Sequence, residues 1–285
     1  MIMSMTGFGK TEAQWEDKSL SIEIRSLNSK SADINLRTPS YLREIDTEIR
    51  KRIAKKLHRG KIDLNIFIEF NGKNVPTAIN SSVVKEYMAQ LKQIEENNEI
   101  DHLAIAMRLP DTLSSERNTL QEDEKKAIFN LLDDAIKNIE TYRLDEGKVL
   151  EKDFLLRLDL IETYLEEAIK IDPERSKKIE VKLRASLEEL KIEIDSNRFE
   201  QELIFYLEKF DITEEKVRLQ THLDYFKKVL ENDFPNGKKL GFVAQEIGRE
   251  INTIGSKANH SELQKIVVQM KDELEKIKEQ LLNVL

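Results

Sequence analysis

The sequence predicts an α+β protein, with an N-terminal antiparallel sheet-and-helix domain followed by a predominantly helical C-terminal domain that ends in a coiled-coil-like helix. Three patterns carry this. Apolar residues alternate with polar ones at period two in Leu20-Ile22-Ile24, Ile34-Leu36 and Ile62-Leu64-Ile66-Ile68, the period of half-buried strands. They recur three and four apart in Leu150, Phe154, Leu158, Ile161, Leu165 and Ile169, the stripe of an amphipathic helix. Near the end, Leu263, Val267, Met270, Leu274, Ile277, Leu281 and Val284 alternate spacings of four and three, as in a coiled-coil seam.

Taken in order, residues from Met3 to Phe70 read as strands interrupted by one helix. That helix runs from Tyr41 to Leu57, with Ile45, Ile49, Ile53 and Leu57 four apart and Pro39 shortly before its start. Its basic C-terminal end suits the helix dipole. Asn71 to Pro76 is the strongest turn cluster, and Ser81 to Asn98 reads as a helix with Val84, Met88 and Leu91 on one side. From Asp123 the pattern is helical almost to the end. Asp172-Pro173 should stop one stripe, and Pro235-Asn236-Gly237 should stop another formed by Val217, Leu223, Phe226 and Leu230. The expected division is a domain at 1–120, connecting long helices at 121–196 and a helical domain at 197–285. The 263–284 stripe has two readings, a core helix packed on its own chain or a subunit contact, and such stripes more often serve the first.

Composition narrows the function. Of 285 residues, 35% are charged and 39% hydrophobic, so apolar positions must be gathered on one face of each element, which suits long amphipathic helices. There is no cysteine, which excludes disulfides, thiolate metal sites and cysteine nucleophiles. The N-terminus lacks the apolar run of a signal peptide, and no stretch approaches the length needed to span a bilayer. A cytoplasmic protein without membrane contact is expected. The net charge of −8 speaks against a polyanionic partner, but its distribution does not. Residues 1–72 hold thirteen Lys/Arg against ten Asp/Glu, and Arg50 to Lys61 holds seven basic residues and no acidic one.

No P-loop, dinucleotide fingerprint, zincin motif or serine-hydrolase elbow is present. Three constellations remain. Glu215, Arg218 and His222 lie at i, i+3 and i+7, along one helical face. A histidine beside an arginine can act as general acid or base or donate to a phosphate; the plainer alternative is a surface ion pair with a bystander imidazole. In the segment from Gly237 to Lys257, Glu246 and Glu250 stand one helical turn apart, as two carboxylates must to share a hard cation such as Mg²⁺ or Mn²⁺. Arg249 and Lys257 could hold phosphate oxygens nearby. Such Glu pairs are common on solvated helices, but the polar interruptions at Gln245, Asn252, Thr253 and Ser256 set this helix apart. The third set is Arg25, Asn28, Arg37, Arg59 and Lys61, which could reach phosphates, riboses and base edges, or could be no more than a solvated basic rim.

These same residues carry a family likeness. Ser4-Met5-Thr6-Gly7-Phe8-Gly9, Arg25-Ser26-Leu27-Asn28 followed by Arg37, and Leu57 to Ile62 resemble the N-terminal domain of the YicC/YloC family. Arg143-Leu-Asp-Glu146-Gly147 is similar to its central motif. Asn197 to Leu203, Asp211-Ile212, Glu214-Glu215, Arg218-Leu219 with His222, and Gly237 to Lys257 resemble its C-terminal domain. The resemblance runs in order over nearly the whole chain. It implies an endoribonuclease that acts on RNA with a divalent metal within a homo-hexameric ring. Arg143 joins the expected RNA contacts through the central motif. Two positions depart from the family pattern: Gly248 stands where asparagine is more usual, and Gly241 replaces a common aspartate. On this reading Glu246 and Glu250 hold the cation, His222 moves the proton, and Arg218, Arg249, Lys257 and the N-terminal set hold RNA. The competing reading is a non-catalytic RNA-binding ring or adaptor.

Overall fold

The computed structural model describes residues 2–15, 18–29, 31–70, 77–94, 101–115, 120–189, 196–232 and 235–285. The expected turn at Asn71–Pro76 lies outside them, as does the end of the helix expected to reach Asn98. The chain sorts into two compact units, Phe8–Glu140 and a second made of Met1–Gly7 with Thr141–Leu285. The division falls inside a helix, within the 121–196 stretch expected to consist of connecting long helices.

In the Phe8–Glu140 unit, strands β1 (Gly7–Trp15), β2 (Lys18–Leu27), β3 (Ala32–Arg37) and β4 (Gly60–Phe70) form one sheet in the order β1-β2-β4-β3. β2 and β4 are antiparallel, with Ile22 opposite Ile66 and Ile24 opposite Leu64. β3 instead runs parallel to β4, with Ile34 beside Ile62. The sheet is therefore mixed, because the chain crosses between β3 and β4 through a helix, the connection that parallel neighbours need. A 3₁₀ turn (Ser40–Ile45) leads into that helix, α1 (Asp46–Leu57). After it, Gly60 has φ 123°, a conformation only glycine adopts without strain, and its amide donates to the Ser31 carbonyl at 3.2 Å.

One sheet face and the Ile49, Ile53 and Leu57 stripe of α1 enclose a core completed by Ile128, Leu132, Ala135 and Ile139. These belong to the first turns of α4 (Glu122–Glu189). Buried Glu124 ties that helix down, accepting from Lys18 Nζ at 2.8 Å and from the Tyr41 hydroxyl at 3.1 Å. Burial, reinforced by the Glu124 charge, pushes the Tyr41 phenol well above its ordinary range. A short ribbon of β5 (Thr77–Ile79) and β6 (Leu113–Ser115), with α2 (Ser81–Ile94) and α3 (His102–Ala106), completes the described elements here.

In the second unit, Phe154, Leu158, Ile161 and Leu165 of α4 pack against three helices, α6 (Thr213–Glu231), α7 (Gly237–Lys257) and α8 (Ser261–Leu281). α5 (Ser196–Phe210) precedes them. The 263–284 stripe is spent on this core: Leu263, Val267, Met270, Leu274 and Ile277 are buried within the chain. Gly255 and Gly248 of α7 let Val267 and Leu274 of α8 approach closely, at one heptad's interval on each helix. The stripe therefore gives no separate support to a subunit seam.

Asp172-Pro173 does not stop α4, which continues to Glu189 with the proline inside it. A buried network encloses the site. The Arg175 guanidinium donates to Asp172 Oδ1 at 2.7 and 2.9 Å, to the Phe210 carbonyl at 2.7 Å and to the Lys257 and Ala258 carbonyls at 3.1 and 3.3 Å. Lys216 Nζ reaches Asp172 Oδ2 at 2.7 Å. Arg175 thus satisfies the open carbonyls at the ends of α5 and α7, groups that cost free energy if buried unpaired. Pro173 falls where tertiary bonds, more than the local ladder, hold the chain.

The N-terminal segment is gripped by the Arg143-to-Gly147 motif. Arg143 is buried and donates to the Met5 carbonyl at 3.2 Å, and its own carbonyl accepts from Ser4 N at 3.0 Å. Thr6 Oγ1 donates to Glu146 Oε2 at 2.7 Å. At Gly147 any Cβ would overlap the Ile2 carbonyl. Arg143, expected from the central motif among the RNA contacts, is buried here and braces the N-terminal segment.

Two stability outcomes follow. Arg175→Ala should cost about 3 kcal/mol in urea denaturation, the scale of breaking a buried ion pair. Lys148→Ala, which loses an exposed pair with Asp145, should stay within about 0.5 kcal/mol of wild type. Glu273 gives a pH signature. Burial raises its pKa, but hydrogen bonds from Lys276 and Arg157 more than offset this and hold the carboxyl below its ordinary range. A depressed carboxylate pKa stabilises above the unfolded value, about 4.3, and the gain is lost as pH falls through the folded one. Glu273→Gln should thus cost about 1–3 kcal/mol at pH 7 and progressively less below about pH 4; a cost independent of pH would refute the assignment.

Candidate active site

α6 and α7 form an antiparallel hairpin. Asn236 closes its turn by donating to the Val229 carbonyl at 3.2 Å, and at the far end Lys257 Nζ meets Glu215 Oε1 at 2.7 Å. One heptad from it lie His222 on α6 and Glu250 on α7, and one heptad further lie Val229 and Val243, both buried. Residues seven apart share a helical face, so His222 and Glu250 lie on the faces that the two helices turn towards each other. His222 is half-buried and Glu250 is 9% exposed. Glu250 has no hydrogen-bond or ion-pair partner among the described residues. Glu246 stands one turn from Glu250, half-exposed, with Arg249 Nη1 at 2.7 Å from its Oε1.

The three residues read as one face of α6 part company. Glu215 turns inward to Lys257 and its Oε2 is buried with no hydrogen-bond partner, whereas Arg218 is exposed and paired with Glu214. Burial decides what each cation can do. The Arg218–Glu214 and Arg249–Glu246 pairs are exposed, worth about 0–1 kcal/mol, and can give way to a phosphate at little cost. The Glu215–Lys257 pair involves a carboxylate only 7% exposed, and removing one partner of such a pair costs far more. Lys257 is thereby set as a brace of the hairpin.

An unpaired carboxylate in a nearly closed position favours a cation beside it. Hard oxygen donors one turn apart suit Mg²⁺ or Mn²⁺. Glu246 and Glu250 could hold such an ion only with solvent or phosphate oxygens completing its shell, since no three acidic or histidine side chains converge as a metal cage among the described residues. Gly248 points its missing side chain at Leu274, 3.2 Å from where a Cβ would sit, and at Lys278. It belongs to the contact with α8. Around Gly241 a Cβ would meet nothing within 4 Å.

The N-terminal candidates gather partly. By strand pleat and register, Arg25, Lys61 and Arg37 share the sheet face opposite the core. Asn28 lies exposed just past β2, and Arg59 is half-buried at the α1–β4 turn. The Arg25 guanidinium rests over the exposed Phe8 ring, 5.4 Å from its centroid. The face is not a basic patch, because Glu12, Glu23, Asp33, Asp63 and Glu69 share it with these residues and Lys10. The excess positive charge of the N-terminal region lies instead on α1, in the Arg50–Lys61 run, with its lysines at helical spacing.

Comparison with known proteins covers the whole chain. Residues 2–152 match the family model described as endoribonuclease YicC-like, N-terminal region, and 168–285 match the endoribonuclease YicC-like C-terminal model. A protein of Clostridioides difficile (strain 630) named probable endoribonuclease YicC is 33% identical over 292 residues, with all of both chains covered. One of the same name from Haemophilus influenzae (Rd) is 28% identical over 294 residues, again end to end. No helix among the described residues is long and apolar enough to cross a membrane.

Proposed function

The chain belongs to the YicC-like endoribonuclease family, and we propose that it cleaves RNA phosphodiester bonds at the α6–α7 hairpin. The observation that carries this reading is Glu250, a nearly buried carboxylate with no partner among the described residues, on the α7 face turned to α6 and one turn from Glu246. His222 is the proton-transfer group, its ring half-open to solvent and able to take a proton from the attacking oxygen or return one to the leaving oxygen. Arg218 and Arg249 exchange their exposed carboxylate partners for non-bridging phosphate oxygens as charge builds on the phosphorus. A divalent cation held by Glu246 and Glu250 would supply charge stabilisation and a more acidic bound water.

A second reading of the same site is attack by the ribose 2′-hydroxyl with His222 as base, favoured by an imidazole ring half-open to solvent on the α6 face turned to α7. The products discriminate, since that route leaves a 2′,3′-cyclic phosphate and survives chelation. Cleavage in the cytoplasm by a homo-hexameric ring is part of the proposal on family resemblance alone.

Glu250→Gln should lower RNA cleavage by at least about 100-fold with an unchanged melting temperature, and EDTA should abolish cutting that Mn²⁺ restores. Binding without metal-dependent cleavage by the wild type would instead mark a non-catalytic adaptor. His222→Ala should lose about 10²–10⁴-fold in rate, the range for a general acid–base group. Light scattering at micromolar concentration should give a mass near six chains, and a monomer there would remove the ring.

A further inference from the structure

α1 and the start of α4 line an open cleft of about 710 Å³ within the Phe8–Glu140 unit. α1 contributes Lys51, Arg52 and Lys55 from the stripe opposite its buried Ile49 and Ile53, and α4 contributes Lys125, Lys126 and Phe129. Two acidic residues also line it, and Arg52, Lys125 and Lys126 are paired with Asp133, Glu48 and Asp123. The half-buried Phe129 ring has the Arg52 guanidinium 4.8 Å and the Lys125 ammonium 5.9 Å from its centroid. Lys51 and Lys55, one turn apart, have no ion-pair partner among the described residues. Like charges at that spacing repel, and a concave wall concentrates their potential. Lys51 and Lys55 call for an anion, and the exposed pairs of Arg52 and Lys126 can open to one at little cost; cations on two helix stripes suit several successive charges better than one.

We infer that this cleft holds the phosphate backbone of single-stranded RNA, a binding track separate from the α6–α7 hairpin and resting on the reading of the chain as an RNA-cleaving protein. Recognition here is by charge. Phe129 already carries two cations, so the track is indifferent to base sequence and sensitive to salt.

The experiment measures anisotropy of a labelled unstructured RNA with the full chain in EDTA, across a salt series. Lys51→Gln with Lys55→Gln should weaken binding about tenfold and flatten the plot of log affinity against log salt by about 1.4, the contribution of two single-strand phosphate contacts. A control with Lys177→Gln and Lys178→Gln, exposed on α4, should leave both unchanged. Equal loss in the control, or no loss in the cleft variant at unchanged melting temperature, overturns the proposal. So does inorganic triphosphate binding as tightly as RNA, which would make the cleft a site for free phosphates. Parallel cleavage assays separate the two readings. If Glu250→Gln still cuts RNA while the cleft variant binds poorly, the hairpin assignment fails and the track stands. The opposite pattern leaves the hairpin and removes the track, and a wild type that does not bind RNA removes both.

Discussion

The closest constraint in the molecule is the approach of the Ile2 carbonyl to Gly147, where no other residue type fits without displacement. From it a chain of main-chain bonds extends. Met5 N donates to Asn283 O at 2.7 Å, Leu285 N to Met3 O at 3.0 Å, and Gly237 N to Leu285 O at 3.0 Å. The N-terminal segment, the C-terminal residues and the start of α7 are thereby fastened to the middle of α4. The other end of α7 is held by Arg175 through the Lys257 and Ala258 carbonyls. The helix that carries Glu246, Arg249 and Glu250 is pinned at both ends, and a constellation on a rigid element keeps its geometry better than one on a loop. Two buried arginines far apart in sequence, Arg143 and Arg175, serve the same helix.

The same arginines explain what the sequence could and could not disclose. Period-two and four-three patterns report burial directly, so β2, β4, α1 and α8 were legible from side chains alone. Pairing direction is not encoded in that pattern, and β3 turned out parallel to β4. Periodicity says that a face is covered but not by what, which is why the α8 stripe could be read as a subunit seam until Val267 and Leu274 were found against α7 glycines. Pro173 reads as a helix stop from local chemistry, whereas the helix continues past it beside the long-range bonds of Arg175 to Phe210, Lys257 and Ala258.

At the candidate site, residue types were legible and pairings were not. Glu246 and Glu250 were identifiable from their spacing, but the distinction between them depends on burial, which leaves Glu250 inward and unpartnered and Glu246 half-exposed beside Arg249. Lys257 and Arg249 look equivalent in sequence. The structure gives one a buried carboxylate and the other a solvated one, and the difference between a pair that costs several kcal/mol to break and one worth about 0–1 separates a cation fixed as a brace from one free to leave its partner. Net charge was equally uninformative. The basic residues of β2, β3 and β4 are balanced by acids on their own sheet face, while those of α1 are not.

α7 itself shows why the departures from the family pattern leave the hairpin intact. Its positions 243, 250 and 257 share the face that meets α6, as the Glu215–Lys257 contact requires, and positions 248 and 255 share the face that meets α8, as Val267 and Leu274 require. These sets lie on roughly opposite sides, since two residues along a helix is a turn of about 200°. A side chain at position 248 would therefore meet Leu274 and Lys278 before it could approach the Glu250 side. Glycine there permits a tight α7–α8 contact, and the carboxylates that face α6 are unchanged by it. Chemistry on one side of the helix and close packing on the other can vary independently, provided both ends of α7 stay fastened.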